Sequence, residues 1–443
     1  MTAELDRDAV LDWYRRNRAR SARLFDMLAE RCYTTRPIAL RNPVVFYEGH
    51  LPGFSVNTLI KKGLGRPGVD ARLEEIFARG IDPDDETLAS PRGGVKAWPA
   101  RHEVRQFADA CDQLVEHALL HDGVDRPGVP VLERAEGVFT LLEHEAMHQE
   151  TLLYMWHQVP HGDKKRPEDY APDAAGDPPV QSSVTIPAGI TRLGADRRTA
   201  RFGWDNEFDA HAVVVPAFEI DAHDVTNAAF LEFVEAGGYD NPQWWGRDDF
   251  GWVQRAGVRH PMFWERHDQQ WWWRGQFDRL PLPPAWPAYV SHAEASAFAR
   301  WRGKRLPTEA EFHRAAYGTP GGTERCYPWG EDPPNATRGH FGFAGWDPVA
   351  AGSRPAGASA WGIHDLVGNG WEWTSTVFGP FDGFQPMPSY PEYSAEFFDG
   401  QHYVLKGASP ATGLELLRPS FRNWFRPHYP YIYASFRCAR SLP

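Results

Sequence analysis

The stretch that decides the fold of the first part of the chain is Val138-Phe-Thr-Leu-Leu-Glu-His-Glu-Ala-Met-His-Gln-Glu-Thr-Leu-Leu-Tyr-Met-Trp156. On a helix, which advances about 100° per residue, His144 and His148 lie within about 60° of Leu141. The two imidazoles therefore share the apolar face of the helix, one turn apart. Each imidazole nitrogen buried without a partner would cost roughly 1–3 kcal/mol. The pattern predicts a buried helix whose histidines share a metal ion, with two separately hydrogen-bonded core histidines as the alternative.

Three further segments of the first 160 residues have apolar residues at spacings of three and four, which is typical of amphipathic helices. These segments are residues 103–120, residues 10–28 and residues 54–60. Four helices joined by short connections predict a helix bundle over residues 1–160.

The pattern of the sequence changes after the last of these helices. Residues 161–183 lose the helical periodicity and are dense in Pro, Asp and Gly, which predicts a linker. From residue 184 onward, short alternating runs are broken by Gly, Pro and Trp, with helical patches at residues 227–236 and 292–301. Residues 184–443 are therefore predicted to form a second domain of α+β class.

The composition is that of a globular protein with an acidic surface. Of the 443 residues, 42% are hydrophobic and 24% are charged, and the formal charge is 47 − 59 = −12. Such a charge repels a phosphate backbone and anionic lipids, so neither nucleic acid nor a membrane is an expected partner. The charged N-terminal residues and the four widely spaced cysteines predict a cytoplasmic protein with reduced thiols.

The run His144-Glu-Ala-Met-His148 is also the motif of zinc metallopeptidases, in which the glutamate, here Glu145, is the general base. The extended form of that motif requires Gly and His at the positions of Thr151 and Tyr154. A zinc peptidase is therefore an alternative interpretation rather than the leading one.

His50 is the best candidate for a third metal ligand. It lies in Phe46-Tyr-Glu-Gly-His-Leu-Pro-Gly-Phe-Ser-Val-Asn-Thr-Leu59, within the same predicted bundle, and antiparallel helices can bring it opposite the histidine pair. Three neutral imidazoles leave about three positions of a metal open, which suits Fe(II) in a site that must also hold reactants. A structural zinc site would require four ligands.

The chain resembles a known family over nearly its whole length. In the first part, the residues that carry the resemblance are His50, His144 and His148. In the second part they are Phe218-Glu-Ile-Asp-Ala-His-Asp-Val-Thr-Asn227, Phe230-Leu-Glu-Phe-Val-Glu-Ala-Gly-Gly-Tyr239, Arg305-Leu-Pro-Thr-Glu-Ala-Glu311, Asp365-Leu-Val-Gly-Asn-Gly-Trp-Glu-Trp373 and Arg418-Pro-Ser-Phe-Arg-Asn423. These motifs are similar to those of the non-heme iron sulfoxide synthases of ergothioneine and ovothiol biosynthesis, with the selenoneine synthases as near relatives. The resemblance implies a DinB-like four-helix bundle followed by a formylglycine-generating-enzyme-like (sulfatase-modifying-factor) domain, which is related to C-type lectins.

The resemblance also implies a reaction and its cofactor. Fe(II) held by the three histidines would use O2 to join a thiolate or selenolate to the imidazole C2 of hercynine, which is N,N,N-trimethylhistidine. Asn423 and Trp424 match positions near hercynine, where an aromatic face suits a trimethylammonium group. The active-site tyrosine of the family has no single match in this chain, and the candidates are Tyr390, Tyr393 and Tyr47.

Two departures from the family pattern concern the sulfur or selenium donor. Family members that use γ-glutamylcysteine carry two arginines, of which this chain keeps Arg92 and has Val95 in place of the second. They also carry an aspartate at the position of Phe425, so the ammonium group of that donor would lose its counter-charge here. We therefore predict a selenoneine synthase with a selenosugar as donor. The alternatives are an ergothioneine-type synthase that uses cysteine or another thiol, and a non-catalytic lectin-like module suggested by the 19 tryptophans.

Overall fold

The computed structural model of the protein describes residues 4–78 and 97–442, and it divides the chain into two units. The first unit comprises Met1–Glu168 and the short segment Pro386–Tyr393. The second comprises Asp169–Gln385 and Ser394–Pro443. The sequence predicted residues 184–443 as one uninterrupted domain, so the segment Pro386–Tyr393 is a difference from that prediction.

The first unit is helical. Helix α1 (Arg7–Asp26) packs against α4 (Arg101–His121) and α5 (Glu136–Gln158), and α2 (Val44–Ser55) packs against the same two helices. Helices α1, α4 and α5 lie where the apolar periodicity predicts them, whereas a DinB-like identity of the unit stays a prediction. Among the described residues, the helices of this unit are α1 (Arg7–Asp26), α2 (Val44–Ser55), α3 (Ala71–Ile76), α4 (Arg101–His121) and α5 (Glu136–Gln158).

Helix α2 begins earlier than the sequence periodicity predicts. It starts at Val44, directly after Pro43, and continues beyond Ser55 as a π-helical stretch, Val56–Gly63. All twelve residues of α2 are buried, so the helix has no polar face and gives no amphipathic signal. Within it, Pro52 lacks the N–H that would bond to the preceding turn, which loosens the backbone ahead of the π-helical stretch.

Polar contacts join the segment Pro386–Tyr393 to the first unit. The hydroxyl of Ser389 lies 2.8 Å from the Thr140 hydroxyl on α5, and its backbone N–H donates to the Glu136 carboxylate at 2.9 Å. Its carbonyl accepts from Lys62 Nζ at 3.3 Å. A short segment without periodicity gives no sequence signal for such docking, which is why the prediction missed it.

The second unit is α+β, as the sequence predicts. The predicted helical patches at residues 227–236 and 292–301 are confirmed as α6 (Asn227–Glu235) and α8 (His292–Trp301). Among the described residues, the helices are α6 (Asn227–Glu235), α7 (Arg247–Ala256), α8 (His292–Trp301) and α9 (Glu309–Tyr317). The strands are β1 (Ser183–Ile186), β2 (Gly189–Leu193), β3 (His211–Val215), β4 (Phe218–Asp221), β5 (Trp264–His267), β6 (Gln270–Arg274), β7 (Arg279–Pro281), β8 (Gly370–Val377), β9 (Tyr403–Ala408), β10 (Asn423–Phe425), β11 (Ala434–Ser435) and β12 (Ala439–Ser441).

The strands form small sheets. The order in the largest sheet is β10-β9-β8-β11, with β8 and β11 parallel and the other pairs antiparallel. In a second sheet, β1 and β12 flank β4 on its two sides, so the first and last strands of the unit pair with the same neighbour. The pairs β2-β3 and β5-β6-β7 are antiparallel. No helix among the described residues has the length and apolar character needed to cross a membrane.

Several of the sequence motifs are explained by structural roles in this unit. In Arg305–Glu311, Thr308 and Glu311 cap α9 reciprocally, and the Arg305 guanidinium binds the Glu311 carboxylate at 2.7 Å. In the core, Arg437 binds Glu372 at 2.6 Å and Asp224 at 3.3 Å, with all three side chains fully buried. These residues therefore hold the fold together.

Part of the tryptophan content is also structural. Seven of the tryptophans are among the largest fully buried side chains of the protein: Trp156, Trp204, Trp264, Trp273, Trp286, Trp371 and Trp373. Six of these lie in the second unit. Because these seven tryptophans are core residues, they do not favour a lectin-like binding module.

Candidate metal centre

Three histidines from two helices converge in the first unit. His50 lies on α2, and His144 and His148 lie one turn apart on α5. The potential ligand nitrogens of the three rings all lie within 4.8 Å of one another. The ring centroid of His50 is 5.2 Å from each of the other two, which are 4.4 Å apart. The structure thus brings together the three residues that the sequence proposed as metal ligands.

The orientation of His50 is fixed by a hydrogen bond. Its Nδ1 lies 2.8 Å from the carbonyl oxygen of Phe77. Because a carbonyl can only accept, Nδ1 carries the proton and Nε2 keeps its lone pair. Nε2 is buried and has no hydrogen-bond partner among the described residues. The ring also stacks on Phe46, with centroids 5.0 Å apart and 20° between the planes.

The pair on α5 has the same shortage of partners. Both ring nitrogens of His144 and Nδ1 of His148 are buried and lack a hydrogen-bond partner among the described residues. The His144 ring stacks face to face on Phe54, with centroids 3.6 Å apart and 10° between the planes. Unsatisfied imidazole nitrogens in a buried aromatic environment fit a metal ion, because coordination would satisfy lone pairs that the protein leaves unpaired.

Burial keeps these imidazoles neutral. It lowers the pKa of His50 to about 4, against the smaller opposite effect of the hydrogen bond to Phe77. The pKa values of His144 and His148 are also lowered well below the usual value, first by burial and then by the neighbouring imidazoles. A neutral imidazole is the form that binds a metal, so the pocket is prepared for one at neutral pH.

The Glu145 carboxylate, the expected base of a zinc peptidase, is engaged by side chains of α1. Glu145 is 1% exposed, and its Oε1 accepts from Arg18 at 2.9 Å and from Ser21 at 2.6 Å, both on α1. Burial raises the pKa of Glu145, although Arg18 opposes the shift. The carboxylate is therefore committed to helix packing, and the zinc-peptidase interpretation lacks its general base.

The three candidate tyrosines lie in the first unit around the histidines. The ring of Tyr390 is 6.0 Å from that of His144, and the ring of Tyr47 is 5.7 Å from that of His148. The hydroxyl of Tyr393 donates to the sulfur of Met147 at 3.3 Å. The segment Pro386–Tyr393 thus brings two of the candidates into the unit that holds the histidines.

The predicted substrate-binding residues on β10 belong to the second unit. Trp424 stacks on Phe378, with centroids 4.2 Å apart and 6° between the planes, and Asn423 Oδ1 accepts from the Trp424 backbone N–H at 2.9 Å. Phe425 stacks on Tyr429 at 5.2 Å. Two aromatic side chains of β10 are therefore each stacked on another ring. Arg92 and Val95 lie outside the described residues.

The sequence did not single out the aromatic residues that hold the histidine rings. Phe46 and Phe54 lie four residues before and four residues after His50, on the same face of α2. That spacing was a usable signal. The contribution of Phe77 had no signal, because it acts through its backbone carbonyl.

Comparisons with known proteins identify relatives that cover both parts of the chain. The family model for the sulfatase-modifying factor enzyme 1-like domain matches residues 169–442. A hercynine oxygenase of Mycolicibacterium thermoresistibile is 38% identical over 425 residues, which cover 90% of this chain and 87% of that protein. The hercynine oxygenase of Mycolicibacterium smegmatis is 38% identical over 310 residues, covering 68% of this chain and 70% of that protein. Ergothioneine biosynthesis protein 1 of Neurospora crassa is 28% identical over 503 residues, covering 94% of this chain and 56% of that protein.

Gly49→Ala is expected to weaken metal binding. A Cβ at Gly49 would lie 2.4 Å from the ring of Phe77, whose carbonyl orients His50, so that ring must move. We expect Fe(II) affinity to fall roughly 10–100-fold, as when other partners of metal ligands are lost. Anaerobic Fe(II) titration measures it. Gly123→Ala is the control, since a Cβ there meets nothing within 4 Å. Equal affinity of the two variants would contradict the role given to Phe77.

The metal-free protein is expected to lose stability as the pH falls from about 6.5 to about 4. In the unfolded chain His50 takes up a proton near pH 6.5, whereas in the folded protein its pKa is about 4. Below pH 6.5 the unfolded state therefore binds more protons than the folded state. His50 alone then lowers the free energy of unfolding by about 1.4 kcal/mol for each unit by which the pH falls. Denaturant unfolding across this range measures the slope. His50→Leu should make this slope less steep, whereas His102→Leu, at an exposed site, should leave it unchanged. An unchanged slope in His50→Leu would refute this assignment.

Proposed function

Since the chain belongs to the hercynine oxygenase family, we propose that it catalyses an O2-dependent reaction that joins the sulfur of a thiol to the imidazole C2 of hercynine. The observation that carries this proposal is the buried cluster of His50, His144 and His148, whose ligand nitrogens lie within 4.8 Å of one another. We further propose that the helical unit around this cluster is a DinB-like bundle.

We propose that the metal is iron, with the three histidines as its protein ligands. Bound there, Fe(II) would supply redox chemistry toward O2 and open positions for reactants. The donor set supports this choice, because three neutral imidazoles suit Fe(II) and leave the site open, and the described residues contribute no fourth His, Cys, Asp or Glu to the cluster.

The proposed reaction balances as a four-electron oxidation. The thiol loses its S–H proton, the imidazole loses its C2 proton, and a bond forms between sulfur and C2. The sulfur also gains one oxygen atom, and the second oxygen atom of O2 leaves as water. Two electrons come from forming the C–S bond and two from oxidising the sulfur, so no other reductant is needed.

The chain's own residues would bind the reactants and keep water out. Phe46 and Phe54 cover the faces of two of the imidazoles, which excludes water from the ligand side of the pocket. A trimethylammonium group cannot donate a classical hydrogen bond, so an aromatic face such as that of Trp424 is a suitable partner for hercynine. Asn423 offers an amide to its carboxylate.

The relatives support sulfur rather than selenium as the donor atom. The related fungal protein is named for ergothioneine biosynthesis, so the thiol alternative from the sequence is better supported than the selenosugar prediction. We propose cysteine or another small thiol as the donor. Phe425, stacked on Tyr429, offers no counter-charge to the ammonium group of γ-glutamylcysteine, which supports excluding that thiol.

The donor is tested by direct turnover. Protein loaded anaerobically with Fe(II) is mixed with hercynine and with cysteine, γ-glutamylcysteine or a selenosugar, O2 is admitted, and products are identified by mass spectrometry. We expect the cysteine sulfoxide conjugate of hercynine. Product from the selenosugar alone would replace the thiol proposal with the selenium prediction. Preferred use of γ-glutamylcysteine would contradict the argument from Phe425, and no product from any donor would refute the proposed function. His148→Ala is the control that should lose turnover.

Tyr390→Phe is expected to slow the chemical step. We propose that the Tyr390 hydroxyl delivers a proton during turnover, because the ring centroid of Tyr390 lies 6.0 Å from that of His144. Loss of a general acid typically lowers the rate by about 10²–10⁴-fold. Single-turnover kinetics should show this loss with unchanged iron content, while Tyr393→Phe should retain most of the activity. The reverse order of the two variants would assign the role to Tyr393.

A further inference from the structure

A second histidine pair with the same spacing lies on the solvent side of α4. His117 and His121 are both exposed, and their ring centroids are 4.8 Å apart. The buried pair on α5, at the same spacing of four residues, has centroids 4.4 Å apart. Residues four apart on a helix face the same way, so the rings of His117 and His121 can reach one ion.

Neither ring of this pair is needed to fold the helix. Helix α4 packs through a separate apolar stripe, which consists of Val104, Phe107, Ala108, Cys111, Val115, Ala118 and Leu119. Apart from their contact with each other, the two imidazoles make no hydrogen bond or ion pair with any residue in the described part of the chain. Their nitrogens are therefore available to a ligand from solution.

We propose that His117 and His121 form a surface site for a late divalent transition metal ion, with water in its remaining positions. Imidazole nitrogen suits Cu(II), Ni(II) and Zn(II), and two ligands held on one helix act as a chelate. The formal charge of −12 also raises the concentration of cations near the surface. This site is independent of the proposed function.

The surroundings of the pair indicate that the two rings alone hold the ion. The neighbouring Glu116 is engaged by the Arg15 guanidinium at 3.0 Å. At the end of α4, Arg7 donates to the carbonyls of Leu119 and Asp122, both at 2.6 Å, so the negative end of the helix is already compensated. With two protein ligands in water, the site is more labile than the buried cluster of three.

Nickel titration tests the proposal. Iron-loaded protein without a polyhistidine tag is titrated anaerobically with Ni(II) chloride, which does not oxidise the exposed thiol of Cys326, and binding is followed by calorimetry. The comparison uses the wild type, His117→Ala, His121→Ala and a matched control, His102→Ala, which removes an exposed histidine from the first turn of the same helix.

The expected result is one nickel site per chain whose affinity falls at least about tenfold in either pair variant and is unchanged in His102→Ala, because each pair variant loses the chelate. Nickel should also raise the melting temperature of the wild type and of His102→Ala but not of the pair variants, because the ion links two turns of α4. Any nickel that binds to the buried histidine cluster would bind there in all four proteins, so it would not change the comparison between them. Equal nickel affinity in the wild type and the pair variants would overturn the proposal.

Discussion

The site depends on one hydrogen bond, from Nδ1 of His50 to the carbonyl of Phe77. That bond selects the tautomer of His50 and leaves the Nε2 lone pair on the side of His144 and His148. Without it, three imidazoles packed within 4.8 Å could satisfy one another only partly, and each unpaired nitrogen would destabilise the fold. A metal ion held by the three rings would satisfy these nitrogens, so metal binding would be linked to local folding.

The burial and packing of α2 follow from the need to hold His50 in this orientation. A histidine can be held 2% exposed only if the helix that carries it is surrounded by protein, and every residue of α2 is buried. Gly49 allows the Phe77 ring to approach the helix, and the carbonyl of the same Phe77 then reaches His50. Phe46 and Phe54, one turn to either side, fix the planes of two imidazoles. The rings are thus positioned by packing rather than by charge.

The sequence predicted the elements whose apolar residues recur at a regular spacing or that contain a recognisable motif. The helix of His144 and His148, the α+β class of the second unit and helices α6 and α8 all follow from apolar spacing. What it could not predict depends on contacts without a local signature. The start of α2 was missed because a helix buried on all sides has no polar face, and the docking of Pro386–Tyr393 was missed because it rests on single hydrogen bonds of Ser389. The donor was the weakest inference, because it rested on Arg92, Val95 and Phe425 rather than on the metal ligands.

The two histidine pairs show why spacing alone does not define a site. Both pairs are four residues apart on a long helix, and their ring separations differ by only a few tenths of an ångström. On α5 the His144 and His148 rings lie against Phe54 and Tyr47 and are joined by His50, so three imidazoles converge. On α4 the rings face solvent and no described residue completes the set.

The same reasoning applies to Glu145, whose motif is that of a peptidase base but whose carboxylate binds Arg18 and Ser21. The chemistry of a motif is set by what the fold packs around it.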